Sequence, residues 1–210
     1  MIAQNIGSSP HPSLIKVRWT AESFADRTVA ASQLLKLLEA ARWTSSYGNE
    51  QPWSFVVASK EGPVAHQHLL SCLFESNAAR ARRAPVLILS VVKLNFEADG
   101  NRNPYAFRDA GRAIANLTQK AAKMGLLVHQ MSGFDAARAR ELFDIPSGYA
   151  PVSVIATGYS GVNTPSDNLA ASRVSQSRRP LQSLIFTERW GQPSQLLMVA
   201  QPDPCDEVRS

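Results

Sequence analysis

Five side chains able to hydrogen-bond fall within seven residues of the stretch Arg42 to Phe55: Ser45, Ser46, Asn49, Glu50 and Gln51. Trp43, Tyr47 and Trp53 sit among them. Hydroxyls, amides and rings at that density could hold a planar, hydrogen-bonding ligand, although composition alone favours an ordinary polar connection. Pro52 disfavours helix at Gln51 and predicts an extended exit from the loop. Other parts of the same kind are scattered: Arg80, Arg82 and Arg83, the Ser132-Gly133 turn, and Arg178-Arg179. Together they suit an anionic ligand that brings its own chemistry, as a cofactor does.

Protein-borne chemistry has few candidates. The sequence contains no HExxH, GxSxG, P-loop or GxGxxG pattern, and no carboxylate pair stands out. His66 and His68 lie two apart, so on a helix they face different ways; they read as surface histidines rather than a metal pair. Cys72 and Cys205 are the only cysteines. With no CxxC spacing they indicate neither a zinc site nor a disulfide framework, and they fit a reducing cytoplasm. No metal site is expected.

The elements that would position these residues can be read from periodicity. Leu34, Leu35, Leu37, Leu38 and Ala41 form an apolar stripe over about 32–42, a helix with Ser32 as its N-cap. Trp53 to Ala58 is a continuous β-prone run, as in a buried strand. Pro63 opens a helix running to about Phe74, and a helical or looped basic stretch covers Asn77 to Arg83. Pro85 to Val92 is the clearest buried strand. Tyr105 to Met124 is the longest helical pattern, with Gly125 beyond its end and the small residues Gly111 and Ala115 open to close packing. Leu126 to Met131 is a short strand. Asp135 caps a helix to about Phe143, with Phe134 as its staple residue. Pro151 to Tyr159 is a third strong strand. Residues 161–180 are polar, LQSLIF from Leu181 is short and apolar, and the end is a Pro-containing tail. Helices and strands interleave, which indicates α/β or α+β.

The totals bound the function. The 210 residues are 44% hydrophobic and 19% charged, as in a globular chain with one sizeable core. The net charge of +5 is spread in small groups, with no basic helix interleaved with aromatics, so nucleic acid is not an expected partner. No apolar run reaches spanning length and the first residues lack a signal-peptide pattern, which leaves a cytoplasmic protein without membrane contact as the expectation.

Four stretches, in order, resemble the nitroreductase family of FMN-dependent oxidoreductases. RWTAESF from Arg18 is similar to the family's N-terminal clamp in the form RWSPRAF. LLEAARWTSSYGNEQPWSFVVA from Leu37 resembles LLEAARWAPSSxNxQPWxFxV. FRDAGRAIANLTQKAAKMGLLVHQMSGFD from Phe107 resembles the central helix pattern D-x-G-x-A-x-x-N-L and the strand and turn after it. SRRPLQSLIFTERWG from Ser177 resembles the C-terminal R-K-P-L-x-E segment.

The resemblance implies an α+β homodimer: a mostly antiparallel sheet flanked by helices, with a long central helix at the dimer interface. It implies one FMN-binding domain over residues 14–191 and a polar tail over 192–210. It places two FMN molecules at the interface, each touched by both chains. Arg18, Trp19, Thr20 and Arg178 would hold phosphate and ribityl chain, Trp19 through its backbone. Ser45, Ser46 and Asn49 would reach the flavin of the partner subunit, whereas Asn77 and Arg80 would lie near the pyrimidine edge of the chain's own flavin and the Ser132-Gly133 backbone would face that flavin's reactive nitrogen. NADH or NADPH would be the donor, and a small electrophile (nitroaromatic, quinone or enone) the acceptor. Three positions depart from the pattern. Glu22 stands where the family carries Arg or Lys; Thr44 and Ser45 replace Ala-Pro; Ser183 replaces Glu. A carboxylate repels a dianionic phosphate, so Glu22 bears on FMN affinity rather than on fold. It also motivates an alternative: a flavin-binding protein of this fold with weak or lost reductase activity.

Overall fold

The computed structural model describes residues 23–161, 179–192 and 194. The chain divides into two compact units, Met1–Ser172 and Arg173–Ser210. In the first, five helices and four strands follow one another as α1 (Ala31–Arg42), β1 (Trp53–Ser59), α2 (Pro63–Cys72), α3 (Glu75–Ala81), β2 (Val86–Lys93), α4 (Ala106–Lys123), β3 (Leu127–Met131), α5 (Ala136–Leu142) and β4 (Tyr149–Gly158). The strands form one antiparallel sheet in the order β1-β2-β4-β3. This is the expected α+β architecture.

The central strand β2 is buried from Val86 to Val92 because helices cover both faces of the sheet. On one face Val86, Ile88 and Ile155 pack with Leu37 and Ala41 of α1 and with Ala113, Ile114 and Leu117 of α4. On the other, Leu87, Leu89, Val154 and Ala156 pack with Leu69, Ala81 and Ala139 of α2, α3 and α5. Strand alternation sends successive β2 residues to the two cores.

Three local expectations need correction. Ser32 does not cap α1: the N-cap is Ala30, and Gln33 reaches back so that its Oε1 accepts the Ala30 N–H at 3.2 Å. Strand β1 is not a buried strand but, among the described residues, an edge, with Ser54 and Val57 exposed; its hydrophobic run serves a sheet covered on both faces. His66 is buried, not on the surface, and its Nε2 lies 2.9 Å from the Ala84 carbonyl, which requires an Nε2–H donor. Two smaller shifts also have local causes. The helix opened by Pro63 stops at Cys72, because Leu73 is extended and bridges Phe134. Gln51 takes a left-handed φ of 47° rather than an extended one.

Other boundaries follow the sequence closely. Asp135 caps α5, accepting the Arg138 N–H at 2.9 Å, over the buried Phe134. Gly125, with φ 70°, ends α4 as a left-handed residue without steric cost. In the second unit the described residues include a 3-10 turn, Leu181–Ser183, and a Phe186–Trp190 ring contact at 4.8 Å.

Candidate functional site

The loop between α1 and β1 takes its shape from one face of α4. Asn116 Nδ2 donates to Thr44 Oγ1 at 2.7 Å, Arg112 Nη2 donates to Ser45 Oγ at 2.8 Å, and the Tyr47 N–H donates to Asp109 Oδ2 at 2.9 Å. Positions 109, 112 and 116 recur at helical spacing, so three successive side chains meet three successive parts of the loop. Asp109 is the centre of this arrangement. It is fully buried, and its Oδ1 takes Arg108 Nε at 2.9 Å and pairs with Arg112 at 3.8 Å. Arg108 also stacks on Tyr105, whose ring lies 4.3 Å from that of Tyr47.

The rest of the loop is held from within. Ser46 Oγ accepts the Gln51 N–H at 2.9 Å, and the Asn49 carbonyl accepts Gln51 Nε2 at 3.2 Å. Gly48, Asn49 and Gln51 all have positive φ, which folds the chain tightly and leaves Ser45 and Asn49 at the surface. Among the predicted site residues, Ser45, Ser46 and Asn49 are therefore brought together on one anchored turn. Trp43 is exposed, and its Nε1 donates to Glu39 at 2.8 Å. Glu39, bound also by Arg42, has its carboxyl lowered to about 2, chiefly by the Arg42 hydrogen bonds and then by Trp43.

A second predicted group assembles where α2 meets α3. Asn77 Nδ2 and the Phe74 N–H both donate to the Gly133 carbonyl, at 2.9 and 3.2 Å. A Cβ on Gly133 would lie 2.7 Å from Asn77 Nδ2, so only glycine fits without moving that amide. Ser132 is exposed beside it, and Arg80 is exposed in the last turn of α3. Arg18, Trp19, Thr20, Glu22 and Arg178 lie outside the described residues.

The two groups stand at opposite edges of the sheet. The loop enters β1 at the sheet end where Trp53 pairs with Val92, and Ser132 leaves β3 toward that same end. But β1 and β3 are opposite edges, three strand spacings or about 14 Å apart. The loop is also tied to α4 on one face, whereas Asn77 and Gly133 belong to the helices of the other.

Asp109, Arg112 and Asn116 were not singled out as site residues from the sequence. The available signal is their i, i+3, i+7 spacing, a polar line on a helix that otherwise buries Ala106, Ala110, Ala113, Ile114, Leu117 and Ala121.

Comparison with known proteins gives consistent relatives. The nitroreductase family model matches residues 15–159. The chain is 38% identical over 126 residues to an uncharacterised 15.4 kDa protein of Mycolicibacterium smegmatis, covering 59% of this chain and 84% of that one. It is 24% identical over 217 residues to the major NAD(P)H-flavin oxidoreductase of Aliivibrio fischeri, covering 83% and 98%. Among solved structures, an oxidoreductase containing FMN superposes with a TM-score of 0.77 at 29% identity, covering 91% of this chain and all (100%) of that one. A nitroreductase family protein from Clostridium difficile 630 shares the fold, with a TM-score of 0.65 at 24% identity and coverage of 84% and 96%.

Proposed function

Because the chain belongs to the nitroreductase family, we propose that it is an FMN-dependent oxidoreductase working as a homodimer. It takes hydride from NAD(P)H and reduces an electrophilic acceptor such as a nitroaromatic, quinone or enone. The observation that carries the two-chain site is the separation of the two polar groups across the sheet.

The donor set suits FMN. Hydroxyls at Ser45 and Ser46, amides at Asn49 and Asn77 and guanidinia at Arg80 and Arg112 are donors for an anionic, planar ligand rich in acceptors. When bound, FMN supplies the redox chemistry, accepting a hydride equivalent from the nicotinamide and delivering it to the acceptor. The protein's part is binding, orientation and exclusion of water. Arg18, Thr20 and Arg178, with the Trp19 backbone, hold phosphate and ribityl chain. Ser45, Ser46 and Asn49 of the partner close the site from the opposite side. Asn77 and Arg80 face the pyrimidine edge. The close approach of Asn77 to Gly133 fixes the turn whose backbone faces the ring, and a backbone donor there favours the reduced, more anionic flavin.

The test is an absorbance spectrum of the purified dimer with FMN, followed by anaerobic addition of NADH or NADPH. The expected result is a bound flavin that bleaches and then reoxidises on addition of a quinone or nitroaromatic. A bound flavin that neither nucleotide reduces would support a flavin-binding protein without reductase activity, the reading that Glu22 motivates. A protein that takes up no FMN would refute both.

A further inference from the structure

Arg112 does more than its partners require. Asp109, the buried carboxylate beneath the loop, is already served by Arg108 through Nε and Nη2, each at 2.9 Å, and by the Tyr47 N–H. Arg112 Nη1 stands back at 3.8 Å, and its firm bond is Nη2 to Ser45 Oγ. Its side chain is 54% exposed, that of Arg108 is 52% exposed, and Asp109 is 0% exposed. Two half-exposed guanidinia one turn apart therefore face outward over one buried carboxylate.

The Ser45–Arg112 bond also has a direction. Guanidinium has no acceptor, so the serine oxygen accepts, and the hydroxyl proton is left to donate outward. The outer N–H groups of Arg112 lie next to it. A hydroxyl and a guanidinium presented side by side, in a site that stays partly wet, match a phosphate monoester better than a flat heterocycle. We propose that Arg112, together with Ser45, binds the 5′-phosphate of the FMN held by the partner subunit. The inference rests on the two-chain flavin site proposed above.

FMN and riboflavin differ by that phosphate, which makes them the probes. Apo dimers of the wild type, Arg112→Gln, Arg112→Lys, Ser45→Ala and Lys60→Gln are titrated with each flavin, following quenching of flavin fluorescence, and their melting temperatures are compared. Loss of a charge-assisted bond predicts that Arg112→Gln binds FMN about tenfold or more weakly while riboflavin affinity changes less than about twofold. Arg112→Lys and Ser45→Ala fall between, and Lys60→Gln, exposed beyond the end of β1 opposite the loop, matches the wild type. Equal loss for both flavins would mean that Arg112 only orders the loop, and would overturn the proposal. So would unchanged FMN affinity, or an effect confined to the NADPH-to-NADH preference, which would assign the phosphate to the donor nucleotide. Failure of the underlying site looks different: the wild type itself would bind neither flavin.

Discussion

Replacing Asp109 with asparagine keeps the shape of the residue beneath the loop and removes its charge. The structure sets the size of the effect. The carboxylate accepts the Tyr47 N–H at 2.9 Å through one oxygen and Arg108 at 2.9 Å through the other, and it is fully buried. Asparagine keeps one acceptor oxygen and turns an NH2 toward a donor. One charge-assisted bond is lost outright, about 1.5–3 kcal/mol. The two guanidinia recover water at their exposed ends, so their ion pairing adds at most about 1 kcal/mol. The expected total is about 1.5–4 kcal/mol, and Asp109→Ala should cost about 1 kcal/mol more because it also leaves a cavity. Urea unfolding at fixed protein concentration measures this, since dimerisation would make the midpoint concentration-dependent. Amide exchange at Tyr47 localises it: the N–H should lose protection in Asp109→Asn while amides of β2 fall only with global stability. A change within about 0.5 kcal/mol, the range of an ordinary surface substitution, with Tyr47 protection intact would refute the assignment of Asp109 as the loop's anchor.

Two other perturbations follow from the geometry. Gly133→Ala puts a Cβ 2.7 Å from Asn77 Nδ2 and should cost about 1–3 kcal/mol in urea unfolding; in an Asn77→Ala background most of that cost should vanish, and additive costs in the cycle would show that the crowding lies elsewhere. His66 is pushed below its usual pKa of 6.5, mainly by burial, partly offset by its bond to Ala84 and reinforced by Lys60. The unfolded chain therefore binds a proton first as pH falls. The histidine's contribution to stability is complete above about 6.5 and declines as the pH drops below that value toward the lower native pKa. His66→Gln should flatten the loss between pH 7 and 5.5, and an unchanged profile would contradict the linkage.

Much of the fold was legible because its cues are local. The β-rich run at Pro85 to Val92, the alanine-rich period from Tyr105 to Met124, the Asp135 cap and Gly125 each act within a few residues, and each appears within two residues of its expected place. The misreadings share a cause. Ser32 has the chemistry of a cap, but chain geometry gave that position to Ala30. Trp53 to Ala58 has the composition of a buried strand, but its place at the sheet edge depends on which strands pair. His66 looked like a surface residue until a carbonyl 18 positions away met it in the interior.

The polar loop divides the same way. The clustering of hydroxyls and amides at Ser45, Ser46 and Asn49, between a helix and a strand, is legible along the chain, because composition and periodicity are properties of neighbours. Packing in three dimensions sets which side chains, Asp109, Arg112 and Asn116, more than sixty residues later, hold that loop in place. It also decided that the Asn77–Gly133 turn lies across the sheet from the loop rather than beside it. Hydrogen bonds between residues so far apart in sequence, and the order of strands in a sheet, depend on how the chain folds back on itself, which no local pattern encodes.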